Sequence, residues 1–146
     1  MTSLFDPLVL RDLTLENRIV LPPMCQYQVS EEDGVPTDWH LVHYGSRATG
    51  GFGLIIAEAT GVLPEGRITA NCTGIWNDEQ RDAWTHIVGF CHEHGASMGI
   101  QLAHAGRKAS TYNDFVPGRS GSVPTDDGGW VTYGPSAIAF PGLATP

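Results

Sequence analysis

The sequence predicts an α/β fold built on parallel strands, and three observations predict it. A β-prone run, Ile19-Val20-Leu21, is halted by Pro22-Pro23. An uninterrupted apolar run, Leu54-Ile55-Ile56-Ala57-Glu58, reads as a strand covered on both faces. The strand, helix, strand order then continues to Met98-Gly99-Ile100-Gln101-Leu102.

The elements follow in order. Leu8-Val9-Leu10 and Leu13-Thr14-Leu15 flank Arg11-Asp12 and predict a small β-hairpin before the main fold. The prolines after Leu21 lack the amide protons that would continue a ladder, so a loop starts there. Thr37 is placed to cap a helix running from Asp38 to about Thr49, with an acidic residue in the first turn and Gly50-Gly51 for the exit. The buried strand at residues 54–58 comes next. Asn77-Asp78-Glu79-Gln80 has the form of a capping box, and Ala83, Trp84, Ile87, Val88 and Cys91 recur on one helical face before Gly95. The third strand, at residues 98–102, is followed by a stretch to Pro146 with no sustained period. Residues 103–146 therefore read as one long loop or excursion, far beyond the usual connection of about 4 to 6 residues. No internal repeat exists beyond the βα alternation.

Composition bounds the function. Eight Lys plus Arg against sixteen Asp plus Glu give a net charge of −8, which repels a phosphate backbone and argues against nucleic acid as a partner. No apolar run approaches the roughly 20 residues that cross a bilayer, and the opening residues lack a secretory pattern. A soluble cytoplasmic protein is the expectation. Cys25, Cys72 and Cys91 are an odd number at wide spacing, with no CxxC pair, and read as reduced thiols.

Parallel α/β folds place ligands at the carboxyl ends of their strands. Three such ends exist here: Pro22-Pro23-Met24-Cys25-Gln26-Tyr27, Glu58-Ala59-Thr60-Gly61 and Gln101-Leu102-Ala103-His104-Ala105-Gly106-Arg107. They bring a thiol, a phenol, an amide and an imidazole to one rim. Together with Phe5-Asp6-Pro7, Asn17-Arg18, His43-Tyr44-Gly45-Ser46-Arg47-Ala48, Gly51-Phe52-Gly53-Leu54-Ile55, Gly66-Arg67-Ile68, Gly74-Ile75-Trp76 and the continuation to Lys108, these segments resemble, in order, the Old Yellow Enzyme family. The cysteine in the Pro-Pro-Met-Cys-Gln-Tyr run points to its bacterial, thermophilic-like branch.

The resemblance implies the N-terminal portion of a (β/α)8 TIM barrel with a preceding β-hairpin, over residues 1–146, with the remainder of the barrel absent from this chain. It implies FMN over the barrel mouth, NADPH or NADH as reductant, and hydride delivery to the β-carbon of an activated alkene such as an enone or enal. Pro22, Pro23, Met24, Cys25, Ala59 and Gln101 then line the flavin, and Tyr27 and Lys108 face the substrate. The thiol of Cys25 adjusts the reduction potential, Ala59 leaves room for the ring, and Gln101 offers its amide to the pyrimidine edge. The family's substrate-anchoring His pair or His and Asn, its proton-donating Tyr, its flavin-contacting Arg and its phosphate loop lie further along, so no catalytic residue is assigned within this chain. A complementary C-terminal polypeptide and a homo-oligomer of the completed barrel are the expected partners.

Each residue also has a plainer reading. Cys25 alone is a small buried apolar side chain, Tyr27 an amphipathic rim residue, and Gln101 a partner for backbone groups. Cys91 lies on an apolar helix face and reads as core. His40 with His43, and Cys91-His92-Glu93-His94, lack the i,i+4 pairing of a metal-binding helix, so no metal site is assigned. His104 divides between supporting a site residue and capping a turn. Gly50-Gly51-Phe52-Gly53 precedes a strand instead of joining strand to helix and is not a dinucleotide fingerprint. The competing function is a flavin-free half-barrel that binds or scaffolds. Another enzyme reading is a dienoyl-CoA reductase or amine dehydrogenase, whose cluster-binding cysteines would lie outside this chain.

Overall fold

In the computed structural model, which describes residues 1–146, two sheets follow one another along the chain. Strands β1 (Leu8–Leu10) and β2 (Leu13–Leu15) pair antiparallel, Leu8 opposite Leu15. Strands β3 (Val20–Leu21), β4 (Leu54–Gly61) and β5 (Ser97–Ala103) then form a parallel sheet with β4 in the middle. Helix α1 (Asp38–Thr49) connects β3 to β4, and α2 (Asp78–Glu93) connects β4 to β5. The α/β class and the element order are those the sequence predicts. Strand β4 runs on past Glu58 to Gly61, since Ala59, Thr60 and Gly61 continue the ladder with Gln101, Leu102 and Ala103.

Cap chemistry explains where the helices begin. The Asn77 side chain accepts the Gln80 N–H at 3.0 Å, and the Gln80 side chain accepts the Asn77 and Trp76 N–H groups at 3.3 and 2.8 Å. Gln80 is wholly buried because its amide also donates to the Asp33 carbonyl at 2.7 Å, which ties the β3–α1 loop to α2. At α1, the ring of His40 plays the reciprocal part, its Nδ1 accepting the Thr37 N–H at 2.8 Å. Gly51, at φ 87°, turns the chain out of α1.

The core lies between the sheet and the two helices. Leu21, Ile55 and Ala57 of the sheet meet Tyr44 and Ala48 of α1, Trp84, Ile87 and Cys91 of α2, and Ala96. Cys91 is fully buried, as its helix face predicts. The helices approach closely at Gly45, where an added Cβ would stand 2.8 Å from the Phe90 ring. Asn17 clips the sheet to the α1 exit: its side chain donates to the Gly51 carbonyl and accepts the Ile19 and Gly53 N–H groups.

The excursion has little regular structure but is firmly tied down. Thr111 N–H donates to the Ile68 carbonyl at 2.9 Å, and Trp130 Nε1–H donates to the Glu65 carbonyl at 2.9 Å. Between them the guanidinium of Arg67 lies over the rings of both Trp76 and Trp130, at 5.4 and 5.3 Å. Arg67 also donates to the carbonyls of Glu32, Pro64 and Ala70. One side of β5 has no strand beside it, and Ile100 and Leu102 are exposed there. No helix of the chain is long and apolar enough to cross a membrane.

Candidate functional site

Parallel pairing brings the carboxyl ends of β3, β4 and β5 to one rim of the sheet, and every sequence-predicted site residue lies on that rim or in the loop leaving it. Ala59 is buried and stands directly opposite Gln101, which is exposed. Their pairing follows a bulge: Ala57 pairs with Ile100 and Ala59 with Gln101, so Glu58 is an extra residue in β4. Bulges re-aim the side chains that follow them.

Glu58 is fully buried, and its carboxylate receives hydrogen bonds from the loop leaving β3 and from α1. Its Oε2 accepts the Gln26 N–H at 2.9 Å, which anchors the loop leaving β3. Its Oε1 accepts the Tyr44 hydroxyl at 3.3 Å, and that hydroxyl oxygen accepts Glu58's own N–H at 3.0 Å. His40 Nε2 lies 3.3 Å from Oε1 in a poorly aligned contact and has no better partner. Because His40 Nδ1 already accepts the Thr37 N–H, the hydrogen on Nε2 faces the carboxylate.

The anchored loop carries Cys25 and Tyr27. Cys25 is a half-buried free thiol; burial pushes its pKa up, with Cys72 and Glu58 adding to the rise, while hydrogen bonds from the Tyr27 hydroxyl and the Ala59 amide oppose it. The thiol is therefore held protonated at neutral pH. Tyr27 is likewise pushed up, by burial first and then by Cys25. Its backbone has a left-handed φ of 53°, rare for an aromatic residue. The excursion brackets it: Phe115 meets its ring edge-on with centroids 5.7 Å apart, and Asn113 Nδ2 lies 3.5 Å from its carbonyl and 3.3 Å from Asn71 Oδ1.

Pro22 and Met24 are exposed and Pro23 half-buried along the same rim. Lys108 lies in the turn after β5, with Nζ 4.1 Å from the Phe140 ring centre, so it packs on the excursion and makes no contact with the Cys25–Tyr27 group. His104 caps a turn, its Nδ1 accepting the Gly106 N–H at 3.1 Å. Sequence reasoning missed Glu58, Tyr44 and His40 as a unit, and Asn113 and Phe115 altogether. A carboxylate closing an apolar strand was a signal for the first group. The second has none, because its contacts span more than eighty residues.

The donor set fits a flavin. A side-chain amide that can both donate and accept stands beside a small residue that leaves the rim open, and the loop leaving β3 brings a protonated thiol to the same rim.

Comparison with known proteins bears on the family of the whole chain. A family model described as the NADH:flavin oxidoreductase / NADH oxidase family matches residues 3–132. The NADPH dehydrogenase of Listeria welshimeri serovar 6b is 57% identical over 116 residues, 80% of this chain and 34% of that protein. The NADPH dehydrogenase of Listeria monocytogenes serovar 1/2a is 49% identical over 140 residues, 96% of this chain and 36% of that protein. This chain thus spans about a third of the length of the curated relatives it matches. Among solved structures, the old yellow enzyme from Trypanosoma cruzi matches with a TM-score of 0.73 at 35% identity, covering 93% of this chain and 35% of that one. Morphinone reductase in complex with tetrahydroNAD matches with a TM-score of 0.69 at 36% identity, covering 75% of this chain and 29% of that one. The match along nearly the whole chain, at this identity and on this fold, makes it a member of the NADH:flavin oxidoreductase / NADH oxidase family.

Proposed function

We propose that this chain supplies the first three strands and the flavin-facing rim of an FMN-dependent ene-reductase that uses NADPH. The observation that carries the proposal is the pairing of Ala59 with Gln101 at the β4 bulge, beside a loop that Glu58 holds by the Gln26 N–H and that carries Cys25 and Tyr27. The chemistry supplied by bound FMN is hydride relay from the nicotinamide to the β-carbon of an electron-poor alkene.

In this reading the chain's own residues bind and orient. Gln101 offers its amide to the polar edge of the ring, and Ala59 keeps the floor of the site low. Pro22, Pro23 and Met24 line the cofactor with backbone that has few amide protons of its own. Cys25 presents a protonated, polarizable thiol, which favours a weak hydrogen bond over nucleophilic attack. Tyr27 and Lys108 face the alkene, Lys108 from the excursion side. Further barrel strands, beyond the third of the relatives' length that this chain spans, cover the open edge of β5 and provide the groups that polarise the alkene. The completed barrel assembles as a homo-oligomer and works in the cytoplasm.

The test is FMN titration followed by NADPH oxidation in the presence of a cyclic enone. The expected result is stoichiometric FMN, enone-dependent turnover, and an FMN affinity about tenfold weaker in Gln101→Ala, the size of one side-chain hydrogen bond. Turnover that does not depend on the enone would overturn the substrate class. Unchanged affinity in Gln101→Ala would remove that residue from the flavin site.

A further inference from the structure

We infer that Glu58, supported by Tyr44 and His40, is the positioning residue of the Cys25–Tyr27 loop: its buried carboxylate fixes where the thiol and the phenol stand on the rim. The inference rests on the flavin reading for what the loop faces, but not for the anchor itself.

Burial of a carboxylate is poor evidence of a stabilising role, since an apolar side chain of similar volume fills such a site without desolvating a charge. An apolar residue could not accept the Gln26 N–H, however, and that bond at 2.9 Å is the link between the middle strand and the loop one residue before its turn into left-handed backbone at Tyr27. The remaining donors complete the site. Tyr44 takes the carboxylate with its O–H and the Glu58 amide with its oxygen, which satisfies a backbone group that the bulge removes from the ladder. His40 is held on α1 by the Thr37 amide and turns its Nε2 to the same oxygen. Helix α1, strand β4 and the loop thereby converge on one side chain. The bulge that admits Glu58 also sets Ala59 opposite Gln101, so a single local irregularity arranges both halves of the rim.

The experiment compares Glu58→Ala, Glu58→Gln and Tyr44→Phe with the wild type, by far-UV circular dichroism, by FMN affinity from fluorescence quenching, and by the rate at which iodoacetamide alkylates Cys25 in flavin-free protein, read on the Cys25 peptide. In folded Glu58→Ala the loop is released: Cys25 alkylation rises about tenfold and FMN affinity falls about tenfold, as expected for loss of a hydrogen bond to a charged group. Glu58→Gln keeps an acceptor oxygen for the Gln26 amide and restores most of both values. Glu58→Ala with wild-type alkylation and wild-type FMN affinity would overturn the inference. So would failure of Glu58→Gln to improve on Glu58→Ala. Where Glu58→Ala does not fold, Tyr44→Phe decides: faster alkylation of Cys25 supports the anchor and an unchanged rate overturns it. A wild type that takes up no FMN defeats the flavin reading alone, because the alkylation rates still judge the anchor.

Discussion

Tyr27 is the one aromatic residue among four non-glycine residues with left-handed backbone. A left-handed conformation costs a non-glycine residue about 1–2 kcal/mol, and here it is held from both sides, by the Glu58 anchor one residue earlier and by Asn113 and Phe115 of the excursion. Asn113→Ala removes the link from Tyr27 to Asn71, and the expected loss is about 1 kcal/mol in urea denaturation. Titrating side chains set a second expectation. Burial, and then the charge of Arg47, lower the pKa of His43 below its ordinary 6.5. The stability this gives is complete above 6.5 and is lost as pH falls through the lower folded value. Burial raises Cys72 above its ordinary 9.0. That contribution is complete below 9.0 and is lost as pH rises through the folded value. The urea midpoint should therefore be flat between these limits and fall on either side; a midpoint still rising above pH 9 would contradict the assignment of Cys72.

At the scale of elements, the two helices and the sheet were readable because their signals are local. Asn77 with Gln80 announces α2 within four residues, and the apolar period through Cys91 locates its buried face. The length of β4 was less readable: Thr60 and Gly61 look like loop residues in sequence, yet they stay in the ladder because β5 lies beside them. The order within the excursion was not readable at all. Trp130 bonds to Glu65, and Arg67 reaches back to Glu32, separations over which no period or cap carries information. Arg67 is the clamp that holds this segment, between two indole rings and with three carbonyls on its guanidinium. Arg67→Ala should cost about 2–4 kcal/mol and expose residues 109–132 to limited proteolysis. A variant as resistant as the wild type would show that Trp130 and Thr111 suffice.

For the whole molecule, the candidate site was legible in outline because parallel topology obliges the three strand ends to share a rim. Pro22 through Tyr27, Ala59 and Gln101 could be gathered from three separate segments on that ground. What the topology could not supply was the means of holding them, which lies in Glu58, a residue whose role depends on a bulge and on a helix fourteen residues upstream. The sheet also presents an apolar side beside β5, where Ala57, Ile75, Trp84, Val88, Met98 and Ile100 line a cleft of about 200 Å³. Parallel sheets are rarely left with such faces bare, and the proposed further barrel strands are what would cover it.

The most direct measurement of the central claim is native mass spectrometry of the protein, in the assembly in which it purifies, for the wild type and for Ala59→Trp. The account predicts one FMN retained per copy of this chain in the wild type, and none in the variant, whose indole would occupy the floor of the site. An FMN-free wild type, or a variant that keeps its FMN, would contradict the claim that Ala59 and Gln101 face the flavin.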